Sequence, residues 1–158
     1  MPSSLVVTHE RLGTWARQLR PRLASAGSIG WVESRSTADL ERAVGGVIAP
    51  VVVIDLADRP GAMLEDLDMA VRSAPAGLFL VLDPNDHHGV AGLARELGAT
   101  LVISGWTPPP NVAELLARWL TLARSRSERD GWSIPVEREP EPWERLDFFN
   151  PAAIIQDV

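Results

Sequence analysis

Three short apolar runs of strand length constrain the fold of this chain more than any other feature. Residues 51–56 (VVVIDL) and 78–83 (LFLVLD) are apolar except for an acid at or near the end. Residues 100–105 (TLVISG) form a third run, which is apolar in its middle and contains no acid. A strand that is apolar on both faces belongs in a parallel sheet that helices cover on both sides. A fourth apolar run, 5–8, and a weaker, partly alternating run, 28–33, precede them. We expect 28–33 at an edge of the sheet and the three strongest runs at or near its centre.

Apolar residues recur at helical spacing after each of these runs. The clearest set follows the last run and consists of Val112, Leu115, Leu116, Trp119, Leu120 and Ala123. Strand and helix therefore alternate five times, which is too few for a closed eight-stranded barrel. The sequence predicts an α/β domain with an open, doubly wound parallel five-stranded sheet, (βα)5.

The composition excludes several kinds of chemistry. All 15 basic residues are arginine, so the chain has no lysine for a Schiff base or a Walker-type phosphate site. It has no cysteine, which excludes disulfides, thiol nucleophiles and thiolate metal sites. The net charge of −6 argues against a nucleic-acid partner, because phosphate binding needs a basic surface.

Most of the net negative charge lies in the last fifth of the chain. Residues 127–158 carry eight acids and three arginines, whereas residues 1–126 carry 13 acids and 12 arginines. Acids alternate with prolines over 137–142, a composition typical of extended, poorly packed chain. We therefore predict a domain over 1–126 and an acidic tail over 127–158. The apolar residues of that tail are expected to bind a partner or to strap back onto the domain: Trp143, Leu146, Phe148 and Phe149.

Acidic side chains follow three of the predicted strands. In open parallel sheets, ligands bind outside the carboxyl ends of the strands, where the strand order reverses. Glu10, Asp55 and Asp83 are delivered to that edge. Three carboxylates could hold a hard cation such as Mg²⁺; the alternative is that they are solvated turn residues or helix caps.

Several segments resemble the receiver domains of bacterial response regulators. Residues 51–55 (VVVID) resemble the third strand of that family, with Asp55 at the phospho-acceptor position. Residues 96–104 (ELGATLVIS) and 111–116 (NVAELL) resemble the passage into its fifth strand and the start of its fifth helix. The resemblance covers about residues 4–126 and implies the flavodoxin-like strand order 2-1-3-4-5, followed here by a C-terminal extension.

The departures from the family pattern concern its phosphorylation site. The family has two adjacent acids after the first strand, where this chain has His9 and Glu10. It has a hydroxyl at the end of the fourth strand, where this chain has Asp83, and a lysine after the fifth, where Ser104 stands. Without the lysine, a phosphoryl group on Asp55 would lack charge compensation, and Asp83 would repel it. The sequence thus predicts a degenerate pseudo-receiver.

We therefore expect a non-catalytic signalling or scaffold module, not an enzyme, with no cofactor and a protein as its partner. Binding is expected on the face of the fourth helix, fifth strand and fifth helix, which pairs receivers in the family and could make a homodimer. Its residues are Leu93, Arg95, Trp106 and Arg118. Trp106 could instead pack over the end of the sheet in place of the missing lysine.

Two alternative functions remain open. One is an atypical phospho-accepting receiver that uses Asp55 with Mg²⁺, supported by Glu10 and Asp83. The other is a sensor of a small molecule or nucleotide at the carboxyl edge of the sheet.

The location follows from what the sequence lacks. No apolar run approaches the ~20 residues that a bilayer span needs, and the first residues carry no basic region ahead of an apolar stretch. We expect a cytoplasmic protein without membrane contact.

Overall fold

The structure is a computed structural model that describes residues 4–131. Five strands alternate with five helices. Their bounds are β1 (Ser4–His9), α1 (Thr14–Arg22), β2 (Ile29–Ser34), α2 (Thr37–Val44), β3 (Val51–Asp55), α3 (Pro60–Ser73), β4 (Leu78–Asp83), α4 (Val90–Glu96), β5 (Leu101–Ser104) and α5 (Pro109–Gly131).

The five strands form one parallel sheet in the order β2-β1-β3-β4-β5. This confirms the predicted open α/β sheet, the order 2-1-3-4-5 and the edge position of β2. The apolar run of β5 lies at the opposite edge, not near the centre, and its Leu101 is 37% exposed. An apolar run reports that helices cover both faces of a strand. It does not report whether a second strand pairs with it.

Alternate residues of the central strands pack into two separate layers. Val52 and Ile54 of β3 face a layer built with α2, α3 and α4. Val51 and Val53 face the other layer, which is built with α1 and α5. Because side chains alternate across a strand, the same rule fixes the side on which each residue at the carboxyl edge emerges.

Helix α5 extends further than the apolar periodicity indicates. The sequence predicts that the tail begins at residue 127, but the helix continues to Gly131. Residues 128–130 are exposed there, so they need no apolar pattern, since periodicity reports burial and not helicity. The division into a domain and a tail stays a prediction, because residues 132–158 lie outside the described residues.

Two arginines attach the second half of α5 to the rest of the domain. Arg124 donates to Ser4 Oγ (3.0 Å) and to the Ala26 carbonyl (2.6 Å). Arg126 donates to the Ala76 carbonyl (2.9 Å). Within residues 4–131, no helix is long and apolar enough to cross a bilayer.

Candidate functional site at the carboxyl edge

A small cavity lies at the carboxyl edge of the sheet, beside the point where the strand order reverses between β1 and β3. Its volume is about 80 Å³. It lies where the topology of an open parallel sheet favours a ligand site. The lining residues come from the β1–α1 and β3–α3 loops and the start of α3: Glu10, Arg11, Leu12, Thr14, Asp55, Ala57, Asp58 and Met63.

The Glu10 carboxylate holds the N-terminus of α1. Its two oxygens accept hydrogen bonds from the backbone amides of Trp15 and Ala16, both at 2.9 Å. These amides belong to the first turn, where a helix has no internal acceptors and the helix dipole favours a negative charge. Gly13 precedes the helix in a left-handed conformation and provides no side-chain cap. Glu10 therefore replaces the missing cap and is itself buried.

Asp55 is half-buried at the end of β3. Burial raises the pKa of its carboxyl, while hydrogen bonds from the Ala57 amide and the Trp15 side chain lower it. The negative charges of Asp58 and Asp83 raise the pKa further. The Ala57 amide lies 2.9 Å from Oδ1. Asp55 is thus an acid whose charged form the fold disfavours.

Asp83 is fully buried and binds His87 twice. Its Oδ2 accepts from the His87 backbone amide (2.7 Å), and its Oδ1 lies 2.5 Å from His87 Nδ1. The carboxylate therefore closes the β4–α4 loop as a local turn. Asp83 does not line the cavity with Glu10 and Asp55.

Arg11 supplies the cationic group of this edge. It lines the cavity and donates from Nη1 to Asp58 Oδ2 (3.0 Å). The sequence analysis did not select the pair of Arg11 and Asp58. Their position directly after Glu10 and in the loop after Asp55 could have suggested the pair, because both loops meet at this edge.

The donor set does not fit a magnesium ion held by three acids. Both oxygens of Glu10 bind main-chain amides, and both oxygens of Asp83 bind His87. Asp58 is paired with Arg11. No group of three metal-ligating side chains with suitable geometry occurs within residues 4–131. A hard cation needs several free oxygens at once.

Three buried, hydrogen-bonded side chains, which we call the relay, join the end of β1 to β2 and α3. His9 Nε2 is 2.7 Å from Asp66 Oδ2 of α3, and His9 Nδ1 is 2.9 Å from Ser34 Oγ of β2. Ser34 Oγ also donates to the Ser36 carbonyl (3.2 Å). The relay joins β1, β2 and α3, and its three side chains are buried. It has the residue types of a hydrolase triad without access for a substrate.

The predicted contact face is exposed on the described part of the chain. Trp106 is 80% and Leu93 46% exposed. Trp106 therefore does not pack over the end of the sheet. Arg95 is exposed, and Arg118 lies on the outer side of α5, where it pairs with Glu114. Trp143, Leu146, Phe148 and Phe149 lie outside the described residues.

Comparison with solved structures shows the fold of response-regulator receiver domains. The chain is similar to a CheY-like receiver domain from Methanospirillum hungatei, with a TM-score of 0.65 and 11% identity over 77% of this chain and 97% of that one. It is similar to a response regulator from Burkholderia pseudomallei with a phosphorylated aspartic acid, with a TM-score of 0.61 and 15% identity over 82% and 73% of the two chains.

A third similar structure is a CheY-like TadZ protein from Pseudomonas aeruginosa. The TM-score is 0.55 and the identity 19%, over 73% of this chain and 98% of that one. No protein-family model and no curated protein matches the sequence. The comparisons therefore confirm the receiver fold expected from the sequence.

Proposed function

We propose that this chain is a non-catalytic pseudo-receiver, a signalling or scaffold module that acts through protein contacts and not through phosphorylation of Asp55. The receiver fold supports the signalling role. The composition supports the loss of the switch, because no lysine exists to pair with an aspartyl phosphate.

The observation that carries the proposal is the position of the Glu10 carboxylate. An acid at this edge contributes to a cation site when its oxygens face the cavity with their lone pairs free. Both oxygens instead hold the first turn of α1. Releasing them would leave two helix amides without partners, at a total cost of about 1–3 kcal/mol. Glu10 is therefore a structural residue in this proposal.

The proposed contact face consists of Leu93, Arg95, Trp106 and Arg118 on α4, α5 and the loop after β5. A tryptophan that is 80% exposed is unusual for a solvated surface, and Leu93 of α4 is also half-exposed. Tryptophan and arginine are also the residues that most often dominate binding at protein interfaces. A second copy of the chain and a different protein are both compatible with this surface, and the tail residues Trp143, Leu146, Phe148 and Phe149 extend the proposal.

The fold also occurs in proteins described by an assembly role. A similar structure from Burkholderia thailandensis is a putative pilus assembly protein, with 18% identity and a TM-score of 0.57. A scaffold function for this chain is therefore consistent with the range of proteins that use the fold, and we place the chain in the cytoplasm as such a scaffold.

Incubation with Mg²⁺ and a small acyl phosphate tests the proposal. Intact-mass spectrometry of the whole chain is expected to give no phosphorylated species above the level of the Asp55→Asn variant. That variant is the matched control because Asn retains the acceptor oxygen for the Ala57 amide. Stable phosphorylation that disappears in Asp55→Asn would overturn the non-catalytic function.

The position of Arg11 supports a second candidate function, that of an atypical phospho-accepting receiver. Its guanidinium lines the same cavity as Asp55, and exchange of its partner from Asp58 to a phosphoryl group would supply a cation without lysine. The same experiment separates the two functions. Phosphorylation that is lost in both Arg11→Ala and Asp55→Asn would establish the second candidate.

A further inference from the structure

A groove at the amino edge of the sheet lies at the opposite end of the domain from Asp55. Its volume is about 330 Å³, within the range of roughly 300–1,000 Å³ that is usual for ligand pockets. The α2–β3 and α3–β4 loops and the end of α5 form its walls. The lining residues are Gly46, Val47, Ile48, Ser73, Ala74, Pro75, Ala76 and Asp130.

The groove is apolar and its walls are held in place by main-chain hydrogen bonds. The Val47 amide donates to the Val44 carbonyl (3.2 Å), and the Gly77 amide to the Ala74 carbonyl (2.9 Å). Arg126 joins α5 to the α3–β4 loop through the Ala76 carbonyl. Ile48 nevertheless remains 44% exposed in the groove wall. A preformed apolar site with an exposed isoleucine favours an apolar occupant.

The position at which the described chain ends identifies that occupant. Asp130 lines the groove, and Gly131 is the last described residue. Consecutive Cα atoms are about 3.8 Å apart, so residue 132 lies within two such steps of Asp130. The next residues, 132–136, are Trp-Ser-Ile-Pro-Val. This stretch is uncharged and apolar, whereas the flanking segments 128–130 and 137–144 are rich in acids.

We propose that residues 132–136 turn back at the end of α5 and dock in this groove of the same chain, with Trp132 and Ile134 against Ile48 and Pro75. Attachment next to the groove gives this segment an effective concentration of the order of millimolar, well above that of a second copy in dilute solution. A tryptophan buries about 150–250 Å² when it is covered. The docked segment therefore anchors the start of the tail at the amino edge.

Hydrogen–deuterium exchange of the full chain tests the docking. Trp132→Ala is expected to accelerate exchange about tenfold in peptides that cover 45–49 and 73–77, a ratio that corresponds to about 1.4 kcal/mol. Trp143→Ala is the matched control, because it removes the same side chain eleven residues further along, and it should leave these peptides unchanged. A peptide from β4 serves as the internal standard for folding.

A reciprocal variant makes the test independent of the tail residue. Ile48→Asp changes a half-exposed side chain and should accelerate exchange at the amides of residues 132–136. Unchanged exchange in both variants would overturn the proposal, as would an equal effect of Trp143→Ala. Protection that grows with protein concentration would overturn it in favour of a second copy as the occupant.

Discussion

At the scale of single residues, the carboxyl edge combines acids that have different tasks. Glu10 stabilises a helix terminus, Asp83 closes a turn with His87, and Asp55 is the half-buried acid that remains beside the cavity. A sequence shows that acids follow the strands, but it does not show which donors each will meet. The partners differ because each acid emerges beside a different loop.

Replacement of Glu10 tests its task as a helix cap. Glu10→Ala should lower the free energy of unfolding by about 1–3 kcal/mol, because the Trp15 and Ala16 amides lose their acceptors. Glu10→Gln should cost less, since one amide oxygen still accepts. Urea unfolding measures both. If Glu10 instead served mainly as one of several repelling acids, Glu10→Gln would stabilise the domain, which would contradict the cap.

Asp55 should make the domain less stable as its carboxyl ionises. Burial raises its folded pKa above the ordinary value of 3.8, so the folded state binds the proton more tightly than the unfolded state does. The contribution of Asp55 to stability is present below pH 3.8 and is lost as the pH rises through the raised pKa. Asp55→Asn should therefore have a higher Tm than the wild type at pH 7.

Thermal unfolding as a function of pH measures this difference. The gap in Tm between Asp55→Asn and the wild type should narrow as the pH falls toward 3.8. A gap that widens on acidification would mean that the folded pKa of Asp55 is lowered, against the effect of burial.

At the scale of elements, the relay of His9, Ser34 and Asp66 fixes α3 on the sheet. It links residues 25 and 57 positions apart in the chain. Its members are polar residues inside otherwise apolar layers, and each has its hydrogen-bond partner within the relay. Buried polar groups that are fully satisfied specify one packing arrangement, whereas a missing member leaves the others uncompensated.

Two aspartates of α3 provide a matched comparison. Asp66→Ala should reduce the free energy of unfolding by about 3–5 kcal/mol, because it leaves His9 buried without its partner. Asp68→Ala removes an exposed ion pair with Arg72 and should cost less than about 1 kcal/mol. Urea unfolding compares the two variants. Equal losses of stability in the two variants would show that the buried relay stabilises the domain no more than the exposed ion pair does.

Strands β3 and β4 were predictable because burial on both faces of a strand requires consecutive apolar residues. The 51–56 and 78–83 runs identified β3 and β4, and the acid at the end of each run identified the carboxyl edge. The edge position of β5 was not predictable from its run, because an apolar run does not show whether strands pair on both sides of it. The end of α5 was missed because its last turn is solvated and needs no periodicity.

The candidate site was predictable in position and not in its contacts. Glu10 and Asp55 line one cavity, as the topology of a parallel sheet indicates. The contact of His9 with Asp66 depends on how α3 packs, which no local pattern reveals. The pairing of Asp83 with His87 was accessible, because the two residues are four positions apart and the segment forms a tight turn after the strand.

At the scale of the whole molecule, three exposed apolar side chains lie at the two proposed binding sites. Leu93 and Trp106 belong to the contact face proposed above, and Ile48 lies at the opposite edge in the groove assigned to residues 132–136. The two proposed binding sites therefore do not share residues.

Replacement of Trp106 should separate binding from stability. Its exposure implies that Trp106→Ala changes the free energy of unfolding by less than about 0.5 kcal/mol. If two copies pair through this face, the dissociation constant in sedimentation equilibrium should rise about tenfold or more. Leu12→Ala, an exposed change near the carboxyl edge, should leave it unaltered. A dimer that is insensitive to Trp106→Ala would use another surface.

The bonds that Arg124 makes to Ser4 and to the Ala26 carbonyl have a consequence for biosynthesis. Ser4 and Arg124 are 120 positions apart, and α5 builds one layer of the core together with α1. A nascent chain that has emerged from the ribosome only as far as β5 leaves that layer open to water. The domain therefore cannot complete its fold until the fifth helix has been translated. Until then the nascent chain exposes apolar surface to which a chaperone can bind.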